Sequence, residues 1–143
     1  MNKLTYWFLA VMLAAFFLSA QVSPAVNAFE HHPAPCADNS RIVFKEDIKH
    51  REHLIATFFV LYSAKCKTAW ADLEVTATGF KWETGAYVQR SDGVVALADH
   101  SRQHHVVTPL LYVPRGEEVQ GCPYLVDTVH DREYGHCSPW LRV

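Results

Sequence analysis

The sequence has no excess of basic residues, and this excludes one class of partner. Its 143 residues include 13 lysines and arginines against 15 aspartates and glutamates, a formal net charge of −2. A protein dedicated to nucleic acid needs a basic surface that neutralises phosphates, so we expect no nucleic-acid partner. Hydrophobic residues make up 50% of the chain and charged residues 20%. This composition predicts a packed globular domain rather than a disordered chain.

Several patterns that accompany catalysis are also missing. The chain has no Gly-x-Ser-x-Gly elbow, no glycine-rich phosphate loop and no His-Glu-x-x-His motif. Two acidic pairs, Asp72 with Glu74 and Glu117 with Glu118, have no framework that would place them across a sugar. They are typical of solvated charges on a strand and a turn. We therefore expect a protein that is not an enzyme and that needs no cofactor.

Residues 1–28 have the order of a secretory signal peptide: a short polar start, an apolar run from Tyr6 to Ala20, and a looser segment before a small residue. Fifteen apolar residues at ~1.5 Å each span roughly 22 Å, short of the ~30 Å hydrocarbon core of a membrane. This disfavours the alternative of an uncleaved anchor. We expect cleavage after Ala28 and a secreted, extracellular domain over residues 29–143 with no integral membrane segment.

All four cysteines lie in that domain, at Cys36, Cys66, Cys122 and Cys137. An even number of cysteines in an exported protein predicts an oxidising compartment and two disulfides. Four cysteines allow three connectivities, and the residues alone leave all three open.

The strand pattern is clearest in the middle of the chain. Residues Leu54 to Tyr62 are apolar on both alternating faces, which is typical of a central strand. Residues 70–78 alternate, with Trp70, Asp72 and Glu74 on one face, which indicates a half-buried strand. These two segments predict an antiparallel hairpin with Cys66 in its loop.

Turn signals complete the fold prediction. The polar stretch 45–53 predicts a turn or an exposed connection. Asp92-Gly93, between two apolar-leaning runs, predicts a two-residue type I′ turn. Because no segment shows a sustained helical period, the predicted fold class is all-β, a small antiparallel sandwich or barrel-like domain.

A family resemblance rests on three segments. In residues 60–71 an apolar strand ends in Tyr-Ser, a cysteine follows three residues later, and Trp-Ala begins the next strand. Cys36-Ala-Asp precedes this segment, while Thr108-Pro-Leu-Leu-Tyr-Val-Pro and Gly121-Cys122 follow it. Together they resemble the domain of unknown function 2690, a family of small secreted proteins found mostly in Gram-positive bacteria.

The resemblance covers residues 36–122 and leaves 123–143 as a C-terminal extension. It implies a bacterial secreted protein and transfers no catalytic residues, because the family has no established activity. Family members usually have an earlier cysteine, which this chain lacks upstream of Cys36, and Cys137 lies in the extension. The resemblance therefore implies that Cys137 replaces the missing partner, with pairing Cys66–Cys122 and Cys36–Cys137.

Three aromatic residues are candidate ligand contacts. Trp82 and Tyr87 lie in a glycine-flanked connection between predicted strands, and Trp140 lies in the C-terminal tail. Exposed aromatic rings can stack on a ligand or anchor a protein partner, although they can also cap the ends of a small core. We expect a monomeric, non-enzymatic binding protein whose partner is an envelope carbohydrate or protein.

The alternative function is extracellular metal binding through a histidine-rich loop. The chain has nine histidines, and His100, His104 and His105 lie close together in a polar segment after Asp99. Imidazole and carboxylate groups suit zinc or copper. The competing interpretation is a solvated loop, because histidine spacing has no fixed geometry outside a helix.

Overall fold

The computed structural model describes residues 34–79 and 81–143, so the predicted signal peptide lies outside the described residues. A four-residue helix, α1, precedes the first of two antiparallel sheets. Sheet A runs in the order β1-β2-β3, and two short strands, β6 and β7, pair with the far edge of β3. The bounds of these elements are α1 (Ala34–Ala37), β1 (Ser40–His50), β2 (His53–Ser63), β3 (Thr68–Val75), β6 (His105–Val107) and β7 (Leu111–Tyr112).

Sheet B contains the remaining strands in the order β5-β4-β8, and β9 and β10 both pair with the outer edge of β8. Their bounds are β4 (Trp82–Arg90), β5 (Val95–Ser101), β8 (Glu118–Asp127), β9 (Arg132–Tyr134) and β10 (Leu141–Arg142). The all-β, antiparallel prediction is confirmed. No helix in the described ranges is long and apolar enough to cross a membrane.

The two sheets contact each other directly at Gly121 in β8. A Cβ atom at this position would collide with Val60 Cγ2 and would lie 3.2 Å from Phe58 Cζ, both in β2. Val60 and Phe58 are fully buried. Because a larger residue would force these side chains or the backbone to shift, glycine allows the two sheets to pack closely here.

The predicted central hairpin is confirmed. β2 and β3 pair from Ser63↔Thr68 to Ala56↔Val75, with Cys66 in the connection between them. The predicted turn over 45–53 is wrong, because β1 continues to His50 and the chain reverses at Arg51-Glu52. Among the described residues, β1 is an edge strand that pairs with β2 alone. Its side chains are largely accessible to water, so it tolerates polar residues that do not show strand alternation.

The hairpin predicted at Asp92-Gly93 is confirmed, but its turn type is not. Gly93 has a φ of 89°, whereas Asp92 is not among the residues with positive φ. The Arg90 carbonyl accepts a hydrogen bond from the Gly93 N–H at 2.9 Å, and the Arg90 N–H donates to the Val94 carbonyl at 2.9 Å. This is the longer hairpin connection in which one glycine supplies the left-handed residue.

Two disulfides are present, as predicted, but the predicted pairing is wrong. The bridges are Cys36–Cys66 and Cys122–Cys137 rather than Cys66–Cys122 and Cys36–Cys137. In sheet A, pairing of Ser40 with Ser63 brings the segment before β1 to the β2–β3 connection, where Cys66 lies.

In sheet B, the segment after β9 runs alongside β8. The Ser138 N–H donates to the Gly121 carbonyl at 2.8 Å, and the Gly121 N–H donates to Ser138 Oγ at 3.0 Å. These bonds place Cys137 next to Cys122. Residues 123–143 therefore form the second half of β8, all of β9 and β10, and one side of a disulfide.

Candidate functional site

The outer face of sheet B carries a partly exposed apolar surface, which we call the aromatic face and define as Tyr87, Leu97, Tyr124 and the Cys122–Cys137 bridge. Tyr87 pairs with Leu97 on one side and with Cys122 on the other. Its chain neighbours Ala86 and Val88 are buried in the core, so Tyr87 points away from it. Leu97 is 51% exposed, although its β5 neighbours Ala96 and Ala98 are buried.

A shallow depression of about 170 Å³ lies in the aromatic face. Tyr87, Leu97 and Tyr124 line it, together with the disulfide and Glu133. The Tyr87 hydroxyl lies 3.8 Å from Cys137 Sγ, and the Tyr124 hydroxyl donates to Glu83 Oε2 at 3.4 Å. Burial, followed by the negative charge of Glu83, raises the pKa of Tyr124. The depression thus combines aromatic rings with carboxylates at its edge.

The structure separates the three aromatic candidates. Tyr87 lies in the aromatic face, as described. Trp82 was expected in an exposed connection, but it is the first residue of β4 and is only 5% exposed. Its ring packs edge-on against Tyr134 with centroids 5.8 Å apart. Trp82 is therefore a core residue and is not accessible to a ligand.

Trp140 remains accessible, with 44% of its surface exposed. It immediately precedes β10, where Leu141 pairs with Val119 of β8 and packs against the core. It is a flanking candidate outside the lining of the depression.

Of the predicted histidine loop, the two described side chains, His104 and His105, contact different groups. His104 Nδ1 lies 3.3 Å from the Val75 carbonyl oxygen, whereas His105 Nε2 lies 2.9 Å from Asp72 Oδ1. The side chain of His100 lies outside the described part of the molecule. Among the described residues, His105 joins a different set of potential ligands from the one that the sequence suggested.

That set is Asp72, Glu74 and His105, which we call the β3–β6 cluster. One ligand atom from each side chain lies within 4.8 Å of the others. Asp72 and Glu74 are two residues apart on β3 and so share a face, and Glu74 pairs directly with His105 of β6. Burial raises the pKa of Asp72, against the opposing effect of nearby His105.

Two other histidines contact a carboxylate. His130 Nδ1 lies 2.5 Å from Asp127 Oδ2, and His136 Nδ1 lies 3.3 Å from Glu46 Oε1. Asp127 is 1% exposed and also accepts a hydrogen bond from the Val129 N–H at 3.0 Å. The hydrogen bond with His130, and then that from Val129, lower the pKa of Asp127. Within the described ranges, only the β3–β6 cluster adds a third ligand to such a pair.

A comparison with known families identifies the chain. The family model described as "Protein of unknown function (DUF2690)" matches residues 25–122, well over half of the sequence. The chain belongs to this family. No curated protein and no solved structure matches it.

The two candidate sites differ in how they relate to the DUF2690 match. The β3–β6 cluster lies entirely within residues 25–122, as do Tyr87 and Leu97. Tyr124, Glu133 and Cys137 of the depression lie beyond residue 122. The depression of this DUF2690 protein is therefore completed by the C-terminal segment.

Sequence reasoning missed part of each site. The outward position of Asp72 and Glu74 was visible in the alternation of β3. Their proximity to His105 depends on the pairing of β3 with β6, which brings Asp72 into contact with a residue 33 positions away. Leu97, Tyr124 and Glu133 had no local signal, because only the order of strands in sheet B brings them together.

Proposed function

We propose that this DUF2690 protein is a secreted, non-enzymatic binding protein that recognises a carbohydrate of the cell envelope through its aromatic face. The two sheets act as a sandwich that holds this face rigid. Two disulfides support the assignment to an extracellular compartment, since such bridges persist where the environment is oxidising.

The observation that carries the proposal is the depression between Tyr87, Leu97 and Tyr124. Its volume of about 170 Å³ is smaller than the roughly 300–1,000 Å³ of pockets that enclose a small molecule. A shallow site of this size suits one ring of an extended polymer better than a fully enclosed substrate. Tyrosine rings offer an apolar surface for such a ring with little loss of conformational entropy.

Polar groups around the rings favour a carbohydrate over a protein partner. Glu133 lines the depression, and Glu83 holds the Tyr124 hydroxyl. On the same outer face, Gln89 Nε2 donates to Gln120 Oε1 at 2.9 Å. Carboxylates accept hydrogen bonds from sugar hydroxyls, and side-chain amides both accept and donate such bonds. The site therefore offers stacking and hydrogen bonding together.

The test is a co-sedimentation assay with insoluble cell-wall polysaccharide, using the disulfide-bonded protein. The Tyr87→Ala variant, which lacks the tyrosine ring, should show at least a fivefold lower fraction of bound protein. Leu97→Ala should lower the bound fraction less. Tyr112→Ala is the matched control, because Tyr112 is 55% exposed but lies on β7 of sheet A. Each variant is first compared with the parent by circular dichroism and thermal melting.

Equal binding by Tyr87→Ala and the parent would contradict the proposal, as would a failure of the parent to bind any polysaccharide tested. A Trp82→Ala variant is not informative here, because loss of a buried tryptophan typically costs about 3–5 kcal/mol and would disrupt the fold.

A further inference from the structure

We propose that Asp72, Glu74 and His105 form a binding site for a divalent transition metal of the zinc class on the outer face of sheet A. The site is independent of the aromatic face, which lies on the other sheet. Its ligands also differ from a set of loop histidines, since two of the three are carboxylates on β3.

The sheet holds the three ligands in position. Asp72 pairs with Val107 and Glu74 pairs with His105, so all three side chains start from adjacent points of a hydrogen-bonded ladder. Zinc binds nitrogen and carboxylate oxygen at ~2.0–2.2 Å, which puts tetrahedral ligand atoms roughly 3.4 Å apart. His105 Nε2 and Asp72 Oδ1 are already 2.9 Å apart, and all three ligand atoms lie within 4.8 Å of one another. The three ligand atoms are therefore already close to the spacing that a bound zinc ion requires.

The charge of the cluster also favours a cation. Two carboxylates face one histidine, and the described ion pairs of Lys45 and Arg90 are made with Asp47 and Asp92 instead. A bound dication would neutralise both carboxylates and replace the contact between His105 and Asp72. Asp72 is partly buried, with 21% of its side chain exposed, so this neutralisation takes place where water screens charge less.

The ligand types select among metals. An imidazole nitrogen with two carboxylates suits zinc and related transition metals, whereas calcium takes six to eight oxygen ligands. Three protein ligands leave a fourth zinc position for water. We therefore expect zinc to bind and calcium not to compete with it.

The test is titration of the metal-free, disulfide-bonded protein with zinc alone. Binding is measured by calorimetry and by competition with a chromophoric chelator. All proteins also carry the substitutions His31→Ala and His32→Ala, so that these two histidines contribute no zinc binding. We expect one equivalent of zinc to bind, with at least a tenfold loss of affinity in both His105→Ala and Asp72→Asn. Zinc should raise the melting temperature of the parent but not that of His105→Ala.

Two matched controls make the result decisive. His136→Ala removes another histidine that contacts a carboxylate, at 3.3 Å, but lacks a third ligand, so zinc affinity should not change. His104→Ala should also have no effect, because His104 lies against the Val75 carbonyl. Unchanged zinc affinity in His105→Ala would overturn the proposal. An equal loss in His104→Ala would also overturn it and would assign the metal to the histidine loop.

Discussion

The two sheets of the molecule share a core but present different chemistry on their outer faces. Sheet A exposes two carboxylates and a histidine from β3 and β6. Sheet B exposes tyrosine and leucine side chains beside its own disulfide. Because the strands that carry these residues are held by separate hydrogen-bonded ladders, a substitution on one outer face need not alter the other. The fold therefore presents two separate outer faces, one on each sheet, over a common core.

Each sheet also has its own disulfide, and removal of these disulfides should give the largest effects on the free energy of unfolding. Cys36–Cys66 spans 30 residues and Cys122–Cys137 spans 15. Loop entropy alone predicts losses of ~3.6 kcal/mol and ~3.0 kcal/mol in the free energy of unfolding. We expect these losses in the double Cys→Ser variants, measured by denaturant unfolding.

The small difference between the two losses is the informative part. If the chain-entropy account holds, the sheet A bridge contributes slightly more because it closes the longer loop. A clearly larger loss from Cys122→Ser with Cys137→Ser would contradict this account. It would show instead that the segment after β9 depends on its bridge for native packing.

Disturbing the contact between the two sheets should give the next largest effect on the free energy of unfolding. Gly121→Ala would place a Cβ against Val60 Cγ2 and Phe58 Cζ. Overpacking of this kind typically costs about 1–3 kcal/mol, and we expect a loss of unfolding free energy in this range by denaturant unfolding. The control is the same substitution in a Val60→Ala background, which removes the colliding methyl group. An undiminished cost in that background would contradict the role assigned to this contact.

The central hairpin was predictable because its residues are apolar and its strands are long. Within the apolar run from Leu54 to Tyr62, every residue from Ile55 onwards is buried or half-buried, on both faces of the strand. The second half of β1, residues 45–50, was missed because it lies in an edge strand with mostly polar side chains. Trp82 was misplaced because Gly79 and Gly85 flank it like turn residues, although β4 begins at Trp82 itself.

Pairing between distant segments could not be predicted at either site. The disulfide pairing was wrong because it was based on cysteines that family members usually have, whereas strand register decides which cysteines meet. The β3–β6 cluster likewise depends on β6 pairing with β3 rather than with β5, its neighbour in the chain. Local patterns specify which face a residue occupies but not which residue lies opposite it.

Turns show the same limit on a smaller scale and provide the last comparison between the sheets. The type I′ turn predicted at Asp92-Gly93 of sheet B occurs instead at Arg51-Glu52 of sheet A, where φ is 48° and 71° without any glycine.

Left-handed backbone costs a non-glycine residue about 1–2 kcal/mol, while glycine costs roughly 0.5–1 kcal/mol of extra chain entropy. Glu52→Gly should therefore stabilise the protein by less than about 1 kcal/mol in thermal or denaturant unfolding. Gly93→Ala should destabilise it by about 1 kcal/mol, because its φ is 89° and no atom lies within 4 Å of the added Cβ. Opposite signs would show that backbone conformation sets the stability of both turns, whereas a loss in both would mean that the Glu52 side chain stabilises the edge of sheet A.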